Sequence, residues 1–257
     1  MPITGIVITL NEAANIAACI RSLQRVCDEV IVVDSLSEDD TVAIAEAHGA
    51  HVIAQAYLGD GPQKAHGVPF ARNDWILALD ADERLADDAV VLIEGLALDD
   101  PSQAYAFRRK NYVGNHWIRA AGFYPDSVTR LYNRTTAGYL PRKAHSSVEA
   151  PRVKLTQAHL DHFTYASLSH WIQRIDALST RDAWAMKERG VTPSPLRPAV
   201  HALTATLRKL LFKGGLLQGA DGMTVALTTA FHAYMKYAKL NELYENERTV
   251  NAQEPPP

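Results

Sequence analysis

Two aspartates spaced i and i+2, Asp80 and Asp82, end an apolar run that begins at Trp75 and reads Trp-Ile-Leu-Ala-Leu-Asp-Ala-Asp-Glu-Arg through Arg84. In an extended chain that spacing sends both side chains to one face, so the two carboxylates can share a cation. Alone, such a pair is equally an acidic turn that ends a strand, since Asp favours turns. Other polar groups close other strand-like runs: Thr9, Asn11 and Glu12 the first, Asp34 the second. Ligands of open α/β sheets bind in the crevice beyond the strands' carboxyl ends, so this convergence favours a site over a turn. There is no G-x-G-x-x-G turn, because Gly59-Asp60-Gly61 continues with the wrong spacing, and no Walker P-loop. Nucleotide phosphates would then need a metal held on Asp80 and Asp82 and side-chain cations such as Lys64.

The elements that must position these groups follow from hydrophobic periodicity. Residues 3–10 read as a buried strand, and 13–26 as a helix whose apolar face is Ile16, Cys19, Ile20, Leu23 and Cys27. A second strand over 29–33 ends at Asp34, a polar turn leads into a helix through Ala47 stopped by Gly49, and 50–54 form a third strand. That rhythm predicts βαβ units, a parallel sheet and right-handed crossovers. Between 57 and 73 three glycines and two prolines allow only a short helix near 63–68, with Pro69 bending or ending it. After the strand carrying Asp80 come a helix over 86–96 and a strand over 104–108. Beyond Arg109 the alternation is lost: an aromatic loop around Trp117 to Tyr124, a strand over 128–132 and irregular chain through Ser146. Helices then take over at 168–188, 199–212 and 223–245. The expected organisation is an α/β catalytic domain over 1–165, a helical region over 166–247 and a disordered tail over 248–257.

The chain has 257 residues, 47% hydrophobic and 21% charged, the composition of a soluble globular protein. Cys19 and Cys27 match neither a disulfide framework nor a metal spacing. The net charge of −3 conceals an asymmetry, because residues 1–100 hold 5 Lys/Arg against 18 Asp/Glu while the remainder is basic. A basic half suits an anionic partner such as a phosphate or a lipid surface. Residues 196–240 carry six Lys/Arg against Asp221 alone, interleaved with leucines and Phe212, as an anionic leaflet would require. A helical appendage packed on the catalytic domain would show the same pattern. With no secretory signal and no span of the roughly 18–20 apolar residues that cross a bilayer, the expected location is the cytoplasm or the cytoplasmic face of the inner membrane.

Three motifs in order carry a resemblance. Ile8-Thr9-Leu10-Asn11-Glu12 is similar to V-x-x-N-E-E; Val32 to Thr41 is similar to V-V-D-S-G-S-T-D-G-T; and Leu79-Asp80-Ala81-Asp82-Glu83 matches L-D-A-D-E. The chain resembles glycosyltransferase family 2 enzymes of GT-A fold. Gly122 to Asp126 with Arg130-Leu131, and His162 to Tyr165, resemble motifs of the bacterial lipopolysaccharide core β-1,4-glucosyltransferases. The resemblance implies inverting transfer of a hexose, glucose from UDP-glucose, to a lipopolysaccharide inner-core glycolipid, with Mg²⁺ or Mn²⁺ and no nucleic acid partner. Other nucleotide sugars with polyprenyl-linked or protein acceptors remain alternatives within the family.

The resemblance places the donor on Thr9, Leu10, Asn11, Glu12, Asp34, Lys64, Asp80, Ala81 and Asp82, with Asp82 and Asp80 as the metal residues. Asp126 is the expected catalytic base, with Glu149 and His145 as competitors. Tyr124, Arg130, His145 and His162 are expected at the acceptor or a phosphate. Three departures stand out: Leu36 and Asp40 where glycines are usual, His66 where Asn is common, and Ala144-His145-Ser146 in place of V-H-E. A zinc cluster of His145, His159 and His162 is disfavoured, because no cysteine or matched fourth ligand accompanies them. Nucleotidyl transfer is disfavoured by Asn11-Glu12 where a basic, Gly-rich loop would stand, and a dead binding module by the presence of Asp34, Asp80 and Asp82 together.

Overall fold

The computed structural model describes residues 2–140 and 147–253. The chain divides into two compact units, one comprising residues up to Asn111 with Pro125–Thr164, the other Tyr112–Tyr124 with the chain from Tyr165 onward. The boundary expected at 165 is therefore close, but the aromatic loop belongs with the helices.

The first unit is built on one mixed sheet. Strands β1 (Ile3–Thr9), β2 (Glu29–Asp34), β3 (His51–Ala54) and β4 (Trp75–Asp80) are parallel in the order β3-β2-β1-β4. Between them lie the helices α1 (Ile16–Leu23), α2 (Thr41–Ala47) and α3 (Asp60–Gly67). The central strands are buried on both faces, which is why they read as nearly unbroken apolar runs. Ile3 and Val7 pack with α1 and with α4 (Asp87–Glu94) on one face, whereas Ile6, Ile31 and Val33 belong to a second apolar cluster on the other. On that second face α3 lies close: a Cβ at Gly67 would come within 2.9 Å of Val33 Cγ2 and 3.1 Å of Ile6 Cγ2.

Beyond β4 the sheet turns antiparallel. Strands β5 (Glu83–Leu85), β6 (Gln103–Val113), β7 (His116–Trp117), β8 (Asp126–Asn133) and β11 (Arg152–Tyr165) extend it as β4-β8-β6-β11-β5, with β7 paired to β6. Strands β9 (Gly138–Tyr139) and β10 (Val148–Glu149) make a separate two-stranded sheet. Only Ala81 and Asp82 separate β4 from β5, yet three strands stand between them in the sheet. The sheet must curl into a half-barrel whose far edge returns to the end of β4, and Phe163 N donates to Asp82 O at 2.9 Å across that closure.

The expected α/β fold of GT-A type with C-terminal helices is present, with three corrections. Strand β11 was not expected, because its inward positions are Thr156, Ala158 and Leu160 while the bulkier Val153 and Leu155 face solvent, so no apolar alternation marks it. Strand β5 is three residues long and points a glutamate inward. In the second unit the helix expected over 199–212 is α6 (Arg197–Leu207) followed by one π turn over Arg208–Phe212 and a 3-10 turn over Gly215–Leu217. The final helix, α7 (Gly219–Gln253), starts earlier than expected and passes the tail boundary at 247; it packs with α5 (Leu168–Glu188) and α6.

Gly67→Ala forces the added methyl into Val33 and Ile6, and such overpacking costs about 1–3 kcal/mol. The thermal midpoint of the Gly67→Ala protein should fall, and ligand-independent measurement by circular dichroism checks it.

Candidate active site

The loops after β1 and β2 clasp each other at the carboxyl edge of the sheet. Ser35 N donates to Thr9 O at 2.8 Å, Asn11 N to Ser37 Oγ at 2.9 Å, Glu38 N to Asn11 Oδ1 at 2.8 Å and Glu12 N to Thr41 Oγ1 at 2.8 Å. Asp34 is buried and accepts from Ser37 N at 2.8 Å and Ser37 Oγ at 2.5 Å. Leu36 adopts φ of 68°, the left-handed region, which accounts for the glycine usual at this place in the motif. Glu12 is engaged by Asn15 Nδ2 at 2.8 Å, and Leu10 is exposed. Thr9 is buried, and its hydroxyl has no hydrogen-bond partner among the described residues, a costly condition.

Register sets these groups along the carboxyl edge of the sheet, Asp34 and Thr9 on the face of Val7 and Asp80 on the face of Ile6. Thr9 pairs with Asp34 on one side, and its neighbour Ile8 pairs with Asp80 on the other. Asp34 and Asp80 therefore stand two strand spacings apart, about 10 Å. A base and ribose at one end and a diphosphate at the other would span that length.

The Asp80 end is a network of charges within the curled sheet. Lys64 Nζ, from α3, lies 2.6 Å from Asp80 Oδ1, and Arg130 Nη2, from β8, lies 2.5 Å from Asp80 Oδ2. Arg130 Nη2 also reaches Glu83 Oε1 at 2.6 Å, while Glu83 Oε2 accepts from Asp80 N at 3.1 Å. Glu83 is 0% exposed and Arg130 5%. Arg109 Nη1, from β6, adds a contact to Glu83 at 3.4 Å. Burial opposes the charge on Asp80, but Lys64 and Arg130 overcome it and hold the carboxyl well below its usual range. For Arg130 burial again opposes the charge, and Glu83 and Asp80 outweigh it.

Asp126, at the start of β8, receives Arg109 Nη2 at 2.7 Å, Arg109 Nε at 2.9 Å and Asn111 Nδ2 at 3.3 Å. All three contacts fall on Oδ2, and the side chain is 32% exposed. Asn111 Oδ1 in turn meets His162 Nδ1 at 2.7 Å, and His162 Nε2 faces Asp82 Oδ2 at 3.4 Å. Burial opposes protonation of His162, yet the hydrogen bond and charge of Asp82, with Glu83, raise its pKa.

The structure thus brings Thr9, Asp34, Lys64, Asp80, Asp82, Asp126, Arg130 and His162 to one sheet, with Ala81 buried between the aspartates. Tyr124 belongs to the other compact unit, His145 lies outside the described residues, and Glu149 is exposed on β10. Glu83, Arg109 and Asn111 had no expected role. Glu83 stood in the quoted motif, but only the return of β5 to the far edge of the sheet reveals its partners.

Both oxygens of Asp80, an expected metal residue, are engaged by the cations Lys64 and Arg130 in this structure. Asp82 and His162 fit a cation better: a carboxylate oxygen and an imidazole nitrogen face each other at the edge of the network. Four carboxylates (Asp80, Asp82, Glu83, Asp126) meet three permanent cations (Lys64, Arg109, Arg130), an excess that a proton on His162 or a bound cation offsets. Among the described residues no group of three or more His, Cys, Asp or Glu is placed to hold a metal. Mg²⁺ commonly takes one or two carboxylates and completes its shell with substrate phosphates and water, so two side chains suffice.

A curled α/β sheet with an acidic pair at a strand end and polar groups along its carboxyl edge is the frame that the resemblance to a class of group-transfer enzymes implies. Within that class the chain belongs to glycosyl transferase family 2, whose match spans residues 4–159. It is 31% identical over 254 residues to an uncharacterized glycosyltransferase of Rickettsia bellii, covering 94% of this chain and 86% of the relative. It is 29% identical over 261 residues to the lipopolysaccharide core biosynthesis glycosyltransferase LpsC of Rhizobium meliloti, covering 93% and 92%. A solved structure of glucosyl-3-phosphoglycerate synthase from Mycobacterium tuberculosis, in complex with Mn²⁺, UDP and glucosyl-3-phosphoglycerate, is 25% identical with a TM-score of 0.35. That match covers 43% of this chain and 44% of the other, less than half of each.

Removing the charge opposite buried Arg130 is expensive, so Glu83→Gln should lose about 3 kcal/mol in equilibrium denaturation. A histidine with a raised folded pKa contributes stability in full below its ordinary value near 6.5, and loses it as pH rises through the folded value. Asp82→Asn removes the cause first among those that raise it, so an NMR titration should show the His162 pKa falling relative to the parent protein.

Proposed function

We propose that the protein is an inverting, metal-dependent hexosyltransferase that moves a sugar, glucose from UDP-glucose, to a lipopolysaccharide inner-core glycolipid at the cytoplasmic face of the inner membrane. The observation that carries the chemistry is the gathering of polar ends at the carboxyl edge of one sheet: Asp34 and Thr9 close β2 and β1, Asp80 closes β4, and Asp82, His162 and Asp126 lie beyond it. The similarity to LpsC over nearly the whole of both chains supports the acceptor.

On this reading Asp34 and the unpartnered Thr9 hydroxyl take the base and ribose, with Leu10, Asn11 and Glu12 shaping that end of the pocket. Asp82 and His162 hold Mg²⁺ or Mn²⁺, and Lys64 and Arg130 set the charge around the diphosphate through Asp80. The metal supplies Lewis-acid stabilisation of the leaving diphosphate when bound. Asp126 accepts the acceptor's hydroxyl proton while that oxygen forms its bond to the anomeric carbon and the carbon's bond to the UDP oxygen breaks. Arg109 and Asn111 fix Asp126 by its Oδ2, so the carboxylate is oriented on the partly exposed side of the network.

Asp126→Asn should lower kcat by about 10²–10⁴, the usual range for a general base, while the UDP-induced thermal shift in Mn²⁺ stays at the parental value. Parental turnover in that variant would move the base elsewhere, and stabilisation by CTP or NAD but not UDP would refute the donor class.

A further inference from the structure

The helical unit carries an apolar surface that its own packing does not use. On α6 the exposed Leu196, Val200, Leu203 and Leu207 recur at intervals of three and four, one stripe along the helix. The stripe continues into the turns that follow, where Leu211 and Leu216 are exposed, Phe212 is 82% exposed and Leu217 91%. Scattered surface leucines need no explanation, but eight such side chains in a continuous stretch mark an interaction site.

The charge around the stripe indicates what covers it. Between Glu188 and Asp221 the chain has no carboxylate but has Arg189, Arg197, Arg208, Lys209 and Lys213. On α6, Arg197 and Arg208 lie beside the apolar stripe by helical phase, and Lys213 stands between Phe212 and Leu216. Behind the stripe a groove of about 410 Å³ between α6 and α7 is lined by His201, Arg208, His232 and Lys236. A second copy of this surface would set cation against cation. An anionic bilayer takes the leucines into its acyl boundary and sets its headgroup phosphates against the basic flank. Among the described residues no helix is long and apolar enough to cross a membrane, so contact would be from one side.

We infer that α6 and the turn after it, from Leu196 to Leu217, form a surface that docks on an anionic lipid bilayer, Phe212 and Leu217 entering the interface and Arg208 and Lys213 contacting headgroup phosphates. The surface gives a place to the membrane association proposed above, but its residues all belong to the helical unit and it stands independently of the transfer chemistry.

The test is cosedimentation of the full chain with vesicles of phosphatidylglycerol and phosphatidylethanolamine, and with vesicles of phosphatidylcholine. Binding should be confined to the anionic vesicles and should weaken as salt is raised. The pair Phe212→Ser with Leu217→Ser, and the pair Arg208→Glu with Lys213→Glu, should each weaken it by about tenfold or more. All four side chains are exposed, so both proteins should keep the parental circular dichroism melt. No binding to anionic vesicles, equal binding to both kinds, or binding untouched by either pair would overturn the inference. So would a dimer in sedimentation equilibrium that the serine pair dissolves, which would make the occupant a second copy. Vesicle binding without any response to UDP would sink the transferase reading and leave this one standing; a UDP response without vesicle binding does the reverse.

Discussion

The closure of the sheet around Glu83 and Arg130 is the constraint on which the active-site geometry depends. Both side chains are buried, and they meet only because β5 returns from the end of β4 to the far edge of the sheet while β8 lies against β4. A buried ion pair gains little net stability over well-packed apolar residues, since desolvation offsets most of the attraction. Its effect here is positional. Arg130 joins Glu83 to Asp80, Lys64 ties α3 to the same carboxylate, and Arg109 carries the network on to Asp126. One connected set of charges from four strands and a helix therefore fixes the distance between Asp80 and Asp126.

Around that network the roles separate by how each carboxylate is held. Asp80 is saturated by cations and acts on the site's charge. Asp82 has one long contact, to an imidazole. Asp126 is held by one oxygen and is partly exposed. Three aspartates of identical chemistry thus stand in three different surroundings.

Much of the donor half was legible in the sequence, because its signals are local. Strands buried on both faces read as apolar runs, turns read as Asn, Asp, Ser and Gly, and the row of polar residues falls where those runs stop. The acceptor half was not legible to the same degree. Strand β11 hides because Thr156 and Ala158 face inward while Val153 and Leu155 face water, and it supplies His162. Glu83, Arg109 and Asn111 each look like ordinary surface residues in sequence, and only their strand partners give them meaning. The helical unit was visible in outline, but the π turn that ends α6 and brings Phe212 outward has no marker in the apolar spacing.

Local chemistry thus settled that residues 75–80 form a strand running into two carboxylates and that Asn11, Asp34 and Asp80 close parallel neighbours, while the motifs there carried the resemblance to family 2 glycosyltransferases. The short-range forces that set strand, turn and helix act between residues close in the chain, so a linear pattern records them. The division of labour among Asp80, Asp82 and Asp126 was decided only when the sheet closed. Charge interactions depend on separation in space, and the partners that matter lie 16 to 80 positions apart in sequence, brought together when α3, β8 and β11 fold beside the end of β4.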